Sequence, residues 1–224
     1  MDNRPANIRK MVWVNLGVVA LMFLLAAYAW VQLPPGSQVP VHWNAAGEVD
    51  RYGGKVEGLL LIPAVTLGLA GLFAAVPRID PKGDNILRSW EAYRVVWATM
   101  LGVMLFVQAG IVATVLGVPL QIGSLIPAGV GVLFILIGNY MGKIRPNYMF
   151  GVRTPWTLAS DLSWNKTHRL TGWLFVLLGF FMIVASLLGL GEIWVWGLLA
   201  GIVVVLVTVA VYSYVVWKDD PARR

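Results

Sequence analysis

The chain has no cysteine, only two histidines, and few charges: Asp, Glu, Lys and Arg make up 12% of its 224 residues. Without cysteine there are no disulfides, no thiolate metal sites and no cysteine nucleophile. The two histidines, His42 and His168, are far apart in the chain, and neither lies beside a second histidine and a carboxylate at ligand spacing. A metal centre is therefore not expected, and no cofactor is implied. Soluble domains carry about 25% charged residues. Half that share leaves too few charges to cover a water-facing surface. A glycine-rich phosphate loop is also missing.

What is abundant is apolar sequence, 58% of the chain, gathered in long uncharged blocks. Six can be traced: about Met11 to Leu33, Leu59 to Val76, Val95 to Val118, Ile122 to Met141, Leu170 to Leu190 and Ile193 to Trp217. A run of about 20 such residues crosses the roughly 30 Å hydrocarbon layer as a helix. Unbroken runs of this kind satisfy their backbone hydrogen bonds only as helices, and the alternation of a membrane barrel is absent. The expected fold is all-α, a polytopic bundle of six transmembrane helices. The basic N-terminal segment ahead of the first block reads as the flank of an uncleaved first helix. The +6 net charge is explained by loop topology rather than by nucleic acid, and no direct nucleic-acid contact is expected.

Orientation follows from the basic residues. With the N-terminus inside, the inner segments hold Arg4, Arg9, Lys10, Arg78, Lys82, Arg88, Arg94, Lys143, Arg145, Arg153, Lys166, Arg169, Lys218, Arg223 and Arg224. The outer segments hold only Arg51 and Lys55. A split of 15 to 2 predicts cytoplasmic N- and C-termini. Trp13, Trp30, Trp97, Trp173, Trp194 and Trp217 fall near span ends, where indoles favour the interface.

No Asp, Glu, Lys, Arg or His lies well inside a span, which counts against an ion-coupled pump. Ser186 and Ser213 have no evident base, so no catalytic residues are assigned and an enzyme is not expected. The buried polar residues Asn15, Gln108, Thr114, Asn139 and Thr208 read as helix–helix hydrogen-bonding groups. An aqueous path lined by Asn139 and Gln108 would instead suggest a transporter or permease for a small or lipidic substrate.

Two loops are long. The outer one, residues 34–57, is rich in proline and glycine and presents His42, Trp43, Asn44, Glu48 and Asp50. It reads either as a ligand-contacting surface or as a compact cap over the helix ends. The inner one, residues 142–169, contains Arg153-Thr154-Pro155-Trp156, a helix start capped by Thr154 with proline at the first position. A short helix from Pro155 to about Lys166 is expected, with Asp161 pairing Arg169 or Arg153. Arg145, Arg153, His168 and Arg169 form a candidate anion site for a lipid headgroup or an acidic partner segment. Topology and snorkelling alone would also account for basic residues here.

Gly138-Asn139-Tyr140-Met141-Gly142-Lys143-Ile144-Arg145-Pro146-Asn147 resembles the signature of the SdpI family of bacterial membrane proteins. So does Phe150-Gly151-Val152-Arg153-Thr154-Pro155-Trp156-Thr157-Leu158, followed by Trp164-Asn165-Lys166-Thr167-His168-Arg169. Pro40-Val41-His42-Trp43-Asn44, with Gly47, Asp50 and Gly53, resembles the DUF1648 module found ahead of that signature. The resemblance implies two halves: residues 1–118 with the outer loop, and residues 119–224 with the signature loop. It implies a multi-pass protein of the bacterial inner membrane that gives immunity to a secreted antimicrobial peptide toxin. It further implies signalling, by holding a transcriptional repressor at the membrane. The implied partners are membrane lipids, the peptide toxin and a cytoplasmic repressor protein. The signature residues expected to bind are Asn139, Arg145, Asn147, Arg153, Thr154, Trp156, Trp164, Thr167, His168 and Arg169. On the outer side they are His42, Trp43, Asn44 and Asp50.

Overall fold

A computed structural model describes residues 4–120 and 122–223. Arg224 and the Arg4 side chain, both counted above among the basic residues, lie outside the described set. The helices are α1 (Arg4–Gln32), α2 (Leu61–Ile79), α3 (Gly83–Arg88), α4 (Trp90–Val115), α5 (Ile122–Met141), α6 (Pro155–Leu158), α7 (Asp161–Leu187) and α8 (Ile193–Lys218). A π-helical turn, Val56–Leu60, leads directly into α2. Five of these helices, α1, α2, α4, α7 and α8, are long and apolar enough to cross a membrane. The apolar run of α5, Leu125–Met141, is shorter.

The architecture is mostly helical rather than wholly so. The outer loop folds into a β-hairpin, β1 (Val39–Trp43) against β2 (Val49–Gly53). Asn44 to Gly47 form its turn: the Gly47 N–H donates to the Asn44 carbonyl at 2.9 Å, and Gly47 takes φ +84°. This is a three-residue hairpin loop closed by a left-handed residue. Pro40 is tolerated because both strands are sheet edges.

Helix packing rests on small and amide-bearing residues, as expected where lipid supplies no hydrophobic drive between helices. Gly131 faces Gly179, and Gly138 faces Gly172, across an antiparallel α5–α7 pair. A Cβ on Gly138 would lie 2.6 Å from the Gly172 carbonyl oxygen, and the reverse distance is the same. Between α1 and α4, Trp97 Nε1 donates to Asn15 Oδ1 at 3.0 Å. Asn15 Nδ2 donates back to the Met11 carbonyl at 2.8 Å. Trp97 is fully buried, so the interfacial place expected for it does not hold. Its indole is a core group, stacked on Phe73.

Contacts at opposite ends tie the first three long helices to the last three. At the hairpin end, a Cβ at Gly123 would run into the Gly47 carbonyl, and Trp194 Nε1 donates to the Ala45 carbonyl at 2.9 Å. At the other end, the segment after α5 docks on the α2–α4 junction. There the Arg145 N–H donates to Ser89 Oγ at 2.9 Å, Asn85 Nδ2 to the Pro146 carbonyl at 2.8 Å, and the Tyr148 N–H to Asp80 Oδ2 at 2.9 Å.

Candidate functional site

The signature segment is shorter as a loop than expected. Helix α7 begins at Asp161, nine residues before the apolar block starts. Ser160 caps it, accepting the Ser163 N–H at 2.9 Å, and Asp161 places a carboxylate in the first turn, where the helix dipole favours it. The expected helix from Pro155 to Lys166 is therefore split. Its first turn is α6, and the rest belongs to α7. Thr154 does cap α6: its Oγ1 accepts the Thr157 N–H at 3.1 Å, while Thr157 Oγ1 accepts the Thr154 N–H at 2.9 Å. Among the described residues Asp161 forms no ion pair with Arg153 or Arg169.

Several predicted binding residues are internal. His168 is fully buried. Its Nδ1 donates to the Trp164 carbonyl at 2.8 Å, and its Nε2 accepts the Val152 N–H at 2.9 Å. Those two partners require the neutral ring with its proton on Nδ1, so His168 cannot serve as the cation of an anion site. Gly151, at φ +110°, leaves room for this contact, because a Cβ there would strike Nε2. Trp164, also fully buried, stacks on the His168 ring at 4.1 Å and donates to the Ile144 carbonyl at 2.7 Å. Asn147 is buried and folds its own loop: its Oδ1 accepts the Met149 and Phe150 N–H groups, and its Nδ2 donates to the Arg145 carbonyl. Thr167 is buried with its hydroxyl unpartnered. Thr154 Oγ1 reaches Ser213 Oγ on α8 at 3.0 Å, and the half-buried Trp156 packs edge-on to Tyr214.

The remaining signature residues face outward, but not together. Arg153 is exposed and donates to the Tyr148 carbonyl at 2.7 Å. Arg169 lines a cleft of about 200 Å³ with Asn139, Gly142 and Trp173. Arg145 lies in a different cleft, with Lys82 and Lys143. The four-residue anion site read from the sequence is thus dispersed. Lys82, from the α2–α3 turn, joins Arg145 instead; only its docking onto the signature loop reveals that, since 63 positions separate them.

At the hairpin end, His42 and Asp50 are exposed and paired, Nδ1 to Oδ1, at 2.6 Å. Asn44 turns inward on the loop, its Oδ1 accepting the Glu48 N–H at 2.9 Å. Trp43 packs partly against the buried cluster of Val39, Leu59 and Ile111. The hairpin is therefore a compact cap over the helix ends, with His42 and Asp50 on its outward face. No group of three metal-ligating side chains occurs among the described residues.

Residues 143–214 match the SdpI/YfhL protein family, and residues 17–67 match the domain of unknown function DUF1648. The SdpI/YfhL match thus lies behind the DUF1648 match in the chain. Over 203 residues it is 26% identical to a Bacillus subtilis (strain 168) protein named "Immunity protein SdpI", covering 90% of this chain and 94% of that one. An uncharacterized Archaeoglobus fulgidus protein is 40% identical over 57 residues, 25% of this chain and 30% of its own length. No solved structure matches. The SdpI segment spans the loop from Lys143, the capped turn of α6, all of α7 and most of α8. Five helices long and apolar enough to cross a membrane, with similarity to SdpI along 90% of the chain, make this a multi-pass membrane protein.

Proposed function

We propose that this protein resides in the bacterial inner membrane and protects the cell from a secreted antimicrobial peptide toxin. The observation that carries this reading is the alignment with the immunity protein along nearly the whole chain, rather than over one motif. Six crossings with both termini cytoplasmic complete the proposal. Helix α5 supports the sixth crossing: its start lies against the hairpin tip, and the segment after its end lies on the α2–α4 junction. The basic split of 15 to 2 supports the orientation. In this reading residues 1–118 form an outward-facing half and residues 119–224 a signature half. The toxin meets the exposed His42–Asp50 face, and Arg153, Arg169 and Arg145 present the cytoplasmic surface on which a repressor protein is held. No chemistry on a substrate is needed for either role. A permease draws no specific support, because Gln108 is buried against the Leu59 carbonyl at 3.1 Å while Asn139 is exposed beside Arg169.

The test is survival. The chain is expressed in a bacterium sensitive to an SDP-type peptide toxin, beside variants of equal abundance. The expected result is protection by the parent chain and its loss with the paired change His42→Ala and Asp50→Ala. Protection that persists with that pair and fails with Arg153→Gln moves the working surface to the cytoplasmic side. Failure of the parent chain to protect against any such toxin overturns the reading.

A further inference from the structure

The cleft between the α2–α3 turn, the segment after α5 and the start of α7 has a volume of about 580 Å³. That is the size of a small-ligand site. Its lining is polar: Lys82, Asn85, Lys143, Arg145, Asp161 and Asn165. Three cations face one carboxylate there. Lys82 lies over the Tyr148 ring at 5.2 Å, and Lys143 over Tyr140 at 4.5 Å, so both ammonium groups are held near the cleft. The Arg145 guanidinium has no hydrogen-bond or ion-pair partner among the described residues. Two acids temper this charge. Glu91 approaches Lys143 at 3.6 Å, but both groups are largely exposed, and such pairs are weak. Asp161 sits in the first turn of α7, where the helix N-terminus already balances it.

The walls are fixed from three directions. Ser89 holds the Arg145 backbone N–H, Asn85 holds the Pro146 carbonyl, and Asp80 holds the Tyr148 N–H. The cations therefore project from a pre-formed frame, which lowers the ordering cost of binding. The cleft also lies where α5 ends and α7 begins, at the edge of the apolar spans. A compact, multiply charged anion suits a fork of one guanidinium and two ammonium groups converging on one cleft better than an extended acidic peptide does.

We propose that this cleft binds a phosphate-bearing group, drawn either from an anionic lipid headgroup at the membrane edge or from a soluble phosphorylated compound. The site does not depend on immunity: it shares Arg145 with the surface proposed to hold a repressor, and none of its residues is assigned to toxin contact. The full chain is purified into phosphatidylcholine nanodiscs, and its thermal midpoint is followed by tryptophan fluorescence. Two probes are used, phosphatidic acid in the disc and pyrophosphate in solution. A concentration-dependent rise in midpoint with either probe is expected, and the probe that produces it identifies the source. The combined change Lys143→Gln and Arg145→Gln, both on exposed side chains, is expected to weaken the response about tenfold or more. Arg9→Gln, exposed on α1 at the same end, leaves it unchanged. No response to either probe, or a response that survives the combined change, overturns the proposal.

Discussion

The two ends of this molecule use their motif residues in opposite ways. At the hairpin end, His42 and Asp50 stand in solvent and touch mainly each other. At the signature end, His168, Trp164 and Asn147 are buried and hold the backbone of their own segment. A dense, unusual motif is thus not equivalent to a binding surface. Much of the signature specifies how one short loop closes over the start of α7, and the groups left facing outward are its arginines with Asn139, Lys143, Asn165 and Lys166.

That contrast can be broken most directly at His168. His168→Ala removes two hydrogen bonds, strands the Val152 N–H and opens a cavity under Trp164. A loss of about 3 kcal/mol is expected, read as a lower unfolding midpoint in detergent. If stability is kept while protection is lost, His168 acts on a partner and the contrast fails. A somewhat smaller cost, about 2 kcal/mol, is expected for Gly172→Ala, whose methyl would press on the Gly138 carbonyl. Comparing its midpoint with that of Gly68→Ala, a helical position where a Cβ meets nothing within 4 Å, isolates the packing effect from helix propensity.

Trp194→Phe sharpens the picture at the hairpin end, since it deletes the bond to the Ala45 carbonyl while keeping an aromatic ring at the seat. About 1 kcal/mol is expected, with faster hydrogen exchange confined to the hairpin turn. The smallest effect concerns Asp220, just past α8. The Ser160 hydroxyl and the Ala222 N–H both donate to it, and Arg223 lies nearby, so its carboxyl is held below the usual aspartate range. A depressed native value means the charged form stabilises the fold above the unfolded value of about 3.9. That contribution disappears as pH falls through the lower native value. The midpoint difference between the parent and Asp220→Asn should accordingly be constant near neutrality and shrink only in acid.

The sequence made the apolar helices legible because charge-free length is a direct requirement of the bilayer. The apolar blocks correspond to α1, α2, α4, α5, α7 and α8, and α8 agrees with its block to within one residue. What was missed lies where the bilayer no longer dictates composition. Helix α7 continues from Leu170 back to Asp161 through polar residues, since helical backbone there needs a cap rather than an apolar environment. Ser160 followed by Asp161 was the available signal. The hairpin was partly hidden by Pro40 and by a strand register that shifts between Pro40 and His42, which spoils simple alternation. The inward turn of His168 had no local signal. It depends on Gly151, 17 positions earlier, adopting a backbone angle that sequence does not announce.

The hairpin tip and its seat come from opposite halves of the chain, with Gly47 on one and Gly123 with Trp194 on the other. A side chain added at 123 therefore presses on a tip that the other half supplies. A bulkier tip needs a deeper seat, so changes at 47 and 123 should be inherited as matched sets. A chimera joining residues 1–118 of one relative to residues 119–224 of another should assemble only when that pair is transplanted together.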